Sequence, residues 1–427
     1  MRRRAQLQEI EHVYQAAAAS PAAAALFQAR KASLGAWQSM VQVSAIPPAT
    51  KRLVEPSQVA MLVIGDEVYG IGTIEKLYAE AWPDMTFVCL GTGPLHDWLL
   101  ARKANVELVP GLRRFAESRS LSTVAKMPLV FQQAKRDAQN IHERIAGRGI
   151  RIVHAQWRAQ QIIAGYLRRF GYRAVWQINN TMNPRRLFGL GKTLNHRLAK
   201  WGADLLLPAS DYIGANWQGC GVPIKTIRNA AVPLLDSPSA LPLDGPVRAI
   251  VAGRIDPTKG HHVAIAAVAE ARRQGCEVTL DVLGGPLDDN SYADELRKQI
   301  ADSKLEGVVT LKGFCPDIRE QHPRYHVAFQ CRINPEPCSL WVCETMVDGL
   351  PIIASANGGT PELVADGESG YLVASGSVDE LSRRLIELCR NRELLAKMRV
   401  AAFERGAKHF TLQRFANETL AAYATVA

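Results

Sequence analysis

Short apolar runs alternating with longer amphipathic ones constrain this chain more than any other feature. "VAMLVIG" (59–65), "TFVCLG" (86–91), "RIVHAQ" (151–156) and "RAVWQIN" (173–179) have the length and β-branched content of buried strands. "TIEKLYAEAW" (73–82) and "AQQIIAGYLRRFG" (159–171) have helical spacing instead. Strands that are apolar throughout, with helices between them, predict a parallel sheet covered on both faces. "AVPLLDSPSALPLDGP" (231–246) then places four prolines in a short space and reads as a linker. After it the alternation restarts. "VRAIVAGR", "EVTLDVLGG", "VVTLKGF", "HVAFQC" and "LPIIAS" are expected strands, and 260–274, 291–303 and 340–348 expected helices.

At 427 residues the chain is too long for one ordinary core, which agrees with two such units. The expected division is a helical extension over 1–55, a first doubly wound domain over 56–232, a linker over 233–246 and a second such domain over 247–405. A helix over 406–427 is expected to pack back on the first domain. Two tandem domains of this kind bind ligand between the carboxyl ends of their strands. No stretch approaches the roughly 18 apolar residues of a membrane span. Glu9 and Glu11 interrupt any leader-like apolar segment at the start. The eight cysteines are scattered without Cys-x-x-Cys spacing, so no metal site and a reducing, cytoplasmic setting are expected.

The net charge of +10 is unevenly spread. Residues 101–200 hold 20 Lys/Arg against 4 Asp/Glu, whereas 236–427 hold 21 against 26. The first domain is therefore expected to face an anionic partner. No aromatic-interleaved nucleic-acid motif accompanies the cations, so nucleic acid is not the expected partner. "RRF" (113–115), "YLRRFGYR" (166–173) and "NPRRLFGLGK" (183–192) mix cations with apolar residues, as a surface against anionic lipid would. That predicts a peripheral position on the inner face of the cytoplasmic membrane, with Arg185, Arg186 and Lys192 among the contacts.

The chemistry concentrates in the second half. In "VAGRIDPTKG", Gly253 ends a strand, and Arg254 and Lys259 flank an Asp-Pro turn from which both can reach a diphosphate; a solvated surface pair is the plainer alternative. In "NPEPCSLWVCETMVDGLP", a helix should begin after the cap Ser339, leaving the amides of Ser339, Leu340 and Trp341 as donors for an anion. Glu336 precedes that helix and Glu344 lies more than a turn into it. Two carboxylates so placed suit sugar or ribose hydroxyls, though each could equally be an ordinary surface charge.

Taken in order, Gly-Arg-x4-Lys-Gly (253–260), Gly284-Gly285-Pro286, "LKGF" (311–314), Glu-x7-Glu (336–344), "GLPIIAS", "GGTPELV" and "DGESGYLV" resemble the donor domain of family 4 retaining glycosyltransferases. The resemblance is specific over 247–375 and looser over 58–232; 1–55 lie outside it. It implies the GT-B fold: two Rossmann-like α/β domains about a central cleft. It also implies transfer of a sugar from a nucleoside-diphosphate donor with retention, with no cofactor and no obligatory metal. By this similarity Arg254 and Lys259 hold the diphosphate and stabilise the leaving group, Glu336 binds the transferred sugar and Glu344 the ribose. Cys338, Ser339 and Leu340 contribute amides, and Gly253, Gly313 and Phe314 line the donor site.

The acceptor implied is a glycan or lipid-linked anion, as in cell-surface polysaccharide or lipopolysaccharide synthesis. Three departures stand out. Gly70 and Gly72 are the nearest match to the family's glycine pair after the first strand. Cys338-Ser339 replaces an aromatic-glycine pair. Asn179 or Asn180 occupies the place of a histidine that contacts the transferred sugar, with His154 the other candidate contact. Two other readings are a sugar-nucleotide epimerase of the same fold and a catalytically silent nucleotide-sugar-binding protein. The absence of Gly-x-Gly-x-x-Gly with a following acid in the first βαβ unit argues against a Rossmann dehydrogenase.

Overall fold

The computed structural model describes residues 54–66, 70–112, 121–182, 191–235, 237–238, 244–285, 291–315 and 318–427. The expected helices of the 1–55 extension, the 113–115 run, Arg185, Arg186 and residues 236 and 239–243 of the proline-rich linker lie outside these residues.

The first domain is a six-stranded parallel sheet: β1 (Val59–Val63), β2 (Thr86–Cys89), β3 (Asn105–Leu108), β4 (Ile152–Ala155), β5 (Arg173–Ile178) and β6 (Leu205–Pro208). Their spatial order is β3-β2-β1-β4-β5-β6. Leu62 of β1 lies opposite Val88 on one side and Ala155 on the other. Pleating sends alternate residues of β1 to opposite faces. Ala60 and Leu62 join one core with α3 (Leu121–Ile145) and α4 (Arg158–Leu167). Val59, Met61 and Val63 join a second core with α1 (Ile71–Ala81) and α2 (Pro94–Ala101). Burial on both faces explains why β1, β2 and β6 read as near-continuous apolar runs, whereas the edge strand β3 (Asn-Val-Glu-Leu) is partly exposed. The first domain is completed by α5 (Gly191–Gly202) and the short α6 (Asp211–Ala215).

The second domain repeats the plan with β7 (Val247–Ala252), β8 (Val278–Leu283), β9 (Val309–Gly313), β10 (Val327–Gln330), β11 (Ile352–Ser355) and β12 (Gly370–Val373), ordered β12-β11-β10-β7-β8-β9. Its helices are α7 (His261–Arg273), α8 (Ser291–Asp302), α9 (Leu340–Val347), α10 (Val378–Arg390) and α11 (Arg392–His409). Strand order reverses between β7 and β10, and the loops leaving those two strands flank the crevice where such sheets take ligands.

The chain then returns. At the crossing, the Ala231 N–H donates to the Phe410 carbonyl at 2.8 Å. The last helix, α12 (Leu412–Tyr423), lays Phe415, Ala416, Ala422 and Tyr423 into the core of the first domain. The break before it falls at Phe410–Thr411, because Thr411 caps α12 through the Arg414 N–H at 3.2 Å.

Candidate active site

Arg254 follows β7 directly, and Lys259 closes the next turn. Asp256 shapes that turn by accepting from the Thr258 N–H at 2.9 Å, and Gly260 ends it at φ +71°. A side chain on Gly260 would collide with the Cys331 carbonyl oxygen, so glycine lets the β10 loop lie against the β7 loop. This contact brings two sequence-distant groups together. Lys259 Nζ sits 3.7 Å from Glu336 Oε2, and Arg332 Nη1 sits 3.0 Å from the same oxygen.

Arg254 is the most open of the set, its side chain 58% exposed and 3.9 Å from Asp256. Lys259 and Glu336 are 25% and 17% exposed. Burial holds the Lys259 ammonium below its ordinary pKa; Glu336 opposes this, while Arg332 and Arg254 add to it. Three cations against Glu336 and Asp256 leave an excess of positive charge that an added anion would relieve. Arg332 was not singled out from sequence. Its signal was available, since it stands just past "HVAFQC" as Arg254 stands just past "VRAIVAG".

The Glu336 loop is held by a glycine pair. The Gly359 N–H donates to the Glu336 carbonyl at 2.8 Å, and a side chain on Gly358 (φ +58°) would run into that carbonyl. "GGTPELV" is therefore needed for close backbone approach. Ser339 caps α9 as expected, its Oγ accepting from the Val342 N–H. Among the described residues the backbone N–H groups of Cys338, Ser339 and Leu340 have no hydrogen-bond partner. They form donors at a positive helix end.

Glu344 lies on α9 and makes no side-chain hydrogen bond among the described residues. Burial pushes its carboxyl up to about 7; Arg319 pulls it down and Asp348 adds to the rise. Asp348 itself is held low, against its burial, by Arg319 at 2.7 Å and His322 at 2.9 Å. At the end of β9, Gly313 accepts from the Gly284 N–H at 2.8 Å, and exposed Phe314 lies beside Gly285. Gly284 lets the β8 end lie against the Gly253 carbonyl, where a side chain would collide, and Gly253 adopts φ +154°.

In the first domain, Gly70 caps α1 and Gly72 is buried in its first turn, both beyond β1. Asn179, beyond β5, donates from Nδ2 to Gln156 Oε1 at 2.6 Å, and Asn180 is exposed. No hydrogen bond or ion pair among the described residues joins Asn179 to the Lys259–Glu336 group. The expectation for His154 needs correction. Its ring is wholly buried on β4, with Nδ1 2.6 Å from the Tyr423 hydroxyl and Nε2 3.1 Å from Gln177 Oε1. Burial drives its pKa down to about 3. It is a neutral core residue that ties α12 to the sheet, and it cannot meet a sugar.

Loops from the carboxyl ends of the two sheets touch through groups that sequence patterning does not reveal. Ser210 Oγ donates to the Pro337 carbonyl at 2.6 Å and Asn229 Nδ2 to the Cys338 carbonyl at 3.0 Å. Glu362 accepts from the backbone N–H groups of Asp211 and Tyr212 and from Arg228, which also pairs with Asp211 at 2.6 Å.

Residues 237–405, the stretch that carries Arg254, Lys259, Arg332, Glu336 and Glu344, match the family of glycosyl transferases group 1. The second domain is thus similar to that family. A putative colanic acid biosynthesis glycosyltransferase of Salmonella typhimurium is 28% identical over 223 residues, covering 49% of this chain and 54% of that protein. A GDP-mannose-dependent alpha-(1-6)-phosphatidylinositol monomannoside mannosyltransferase of Mycolicibacterium smegmatis is 29% identical over 169 residues, 37% of this chain and 42% of that one. The chain thus spans about half the length of the curated relatives it matches. Anabaena Alr3699/HepE, solved in complex with UDP, aligns with a TM-score of 0.72 at 20% identity over 86% of this chain and 100% of that one. The architecture is the GT-B fold.

Proposed function

We propose that the chain is a retaining glycosyltransferase that moves a hexose from a nucleoside-diphosphate sugar to an acceptor bound by the first domain. The observation that carries this reading is the Lys259–Glu336–Arg332 group set beside the unpartnered N–H groups of Cys338–Leu340. Cations and a helix end suit a diphosphate; a fixed carboxylate beside them suits sugar hydroxyls.

As the bond between the anomeric carbon and the diphosphate oxygen breaks, negative charge develops on the leaving phosphate. Arg254 and Lys259 stabilise that charge without a metal ion. Glu336 orients the sugar and Glu344 the ribose, while Phe314 and Gly313 border the base; Asn179 or Asn180 takes the sugar contact from the first domain. Retention rests on the sequence resemblance. UDP and UDP-glucose bound to the Anabaena protein support a nucleotide-sugar donor. Relatives named for colanic acid and amylovoran synthesis support a role in surface polysaccharide or glycolipid assembly.

The acceptor is an anionic glycan or lipid-linked sugar, handled in the cytoplasm at the membrane's inner face. Two basic grooves on the first domain favour the membrane surface, the larger of them at the amino ends of β5 and β6 and away from the cleft. One of about 350 Å³ is lined by Lys192, His196, Arg197 and Lys200, and another of about 470 Å³ by Arg168, Arg169 and Arg173 with a single carboxylate, Asp204. Phe170 and Leu194 stand exposed on the same elements. No helix among the described residues is long and apolar enough to cross a membrane.

The test is product formation from a panel of nucleotide sugars, including UDP-glucose and GDP-mannose, with EDTA present. Anomeric configuration read by NMR decides retention. A protein that binds these donors but neither transfers nor hydrolyses them would be a binding protein instead.

A further inference from the structure

The loop Pro335–Ser339 bears Glu336 and the free amides, yet two of its carbonyls are held from the other domain. Ser210 Oγ lies 2.6 Å from the Pro337 oxygen and Asn229 Nδ2 lies 3.0 Å from the Cys338 oxygen. Ser210 is fully buried, Asn229 is 3% exposed and Cys338 6%, so no water competes for these bonds.

In a trans peptide the C=O and the following N–H point in opposite directions. Fixing the Pro337 carbonyl therefore fixes the Cys338 N–H, and fixing the Cys338 carbonyl fixes the Ser339 N–H, each aimed away from its anchor. Both N–H groups are among those left without a partner. We propose that Ser210 and Asn229 are positioning residues. From the first domain, they orient the amide donors of the second domain's phosphate site, so the site is fully formed only while the domains are docked. This rests on the donor-binding reading above and adds which residues outside the donor domain set its geometry.

Around these anchors the docking is independently fixed. Glu362 accepts from the backbone of Asp211 at 2.9 Å and Tyr212 at 2.8 Å, immediately after Ser210. Gly359 has room only for hydrogen against Ser210 and the Pro337 carbonyl. The Asn229 carbonyl in turn accepts from Arg414 of α12 at 2.8 Å. Neither anchor can drift alone.

The test uses the full chain with Ser210→Ala and, separately, the isosteric Asn229→Asp, which turns a donor into an acceptor against the Cys338 carbonyl. Hydrogen exchange of the peptide spanning 335–343 is measured without ligand, and UDP and GDP binding by calorimetry. Both variants should speed exchange there while the melting temperature stays within a few degrees. Each should weaken whichever nucleotide the wild type binds by about tenfold, the scale of one lost hydrogen bond to an anchored group. A role in stability alone would lower the folded fraction but leave the affinity of that fraction unchanged. Unchanged exchange at 335–343, or wild-type affinity in both variants, overturns the proposal. If the wild type binds neither nucleotide, the donor reading fails instead, and exchange alone then decides whether the anchors hold the loop.

Discussion

Replacing Glu344 by glutamine should stabilise the ligand-free protein in a pH-dependent way. Burial pushes this carboxyl from an ordinary 4.5 to about 7. The folded chain therefore binds more protons than the unfolded chain between those values, and stability falls as pH rises through the window. The shift corresponds to about 3 kcal/mol at roughly 1.4 kcal/mol per unit. Partial solvent contact of the residue reduces that to about 2 kcal/mol at pH 8. Glutamine carries no charge to desolvate and forfeits no side-chain hydrogen bond. The melting temperature of Glu344→Gln should match wild type near pH 4.5 and exceed it by about 5 °C above pH 7, on the scale of roughly 2–4 °C per kcal/mol. Thermal melts across pH 4.5–8.5 provide the measurement. A ribose hydroxyl donating to the carboxylate favours its ionised form, so nucleotide binding should release a proton and tighten as pH rises through 7. A variant-to-wild-type difference that is constant with pH would refute the burial argument. A nucleotide affinity without that pH dependence would remove Glu344 from the ribose.

Arg254→Ala and Lys259→Ala should each slow transfer by about 10²-fold, the scale of a lost transition-state contact, in steady-state assays. Glu336→Gln should spare UDP or GDP binding while weakening the sugar-bearing donor, and calorimetry with both ligands separates the two. Arg332→Ala should weaken nucleotide binding less than Lys259→Ala does, because Lys259 still offsets Glu336. Flotation with anionic vesicles should retain the protein at low salt, release it at high salt, and fail after Lys192→Glu, Arg197→Glu and Lys200→Glu together; recovery only in the soluble fraction at low salt would point to a soluble acceptor.

The two doubly wound domains were legible because burial on both faces leaves an unmistakable mark: β1 and β6 are apolar throughout, and β4, β7 and β10 carry a single polar residue each. The Ser339 cap and the glycine pair at 358–359 were legible for a related reason, since each solves a local backbone problem by residue type. His154 was not. A histidine at a strand end gives no sign in sequence of which way its ring faces, and here Tyr423, 269 residues away, supplies the partner. The roles of Ser210, Asn229 and Glu362 escaped notice for the same reason. Their meaning arises from contacts between loops that become neighbours only once both sheets and the returning helix are in place.

That returning helix also sets an order of assembly. The second domain has both of its ends attached to the first, at the proline-rich linker and at Phe410–Thr411, so it is spliced into the first domain's sequence. Its own strands and helices, and the core residue Phe410, have all been made before α12 begins. The first domain must wait, since Phe415 and Tyr423 cover Tyr78 and Trp82 only after α12 has emerged. During synthesis the donor half can fold while the acceptor half still exposes apolar surface on one face of its sheet. The residues of α12 then close that face, and Arg414 among them also fixes Asn229 at the boundary between the domains.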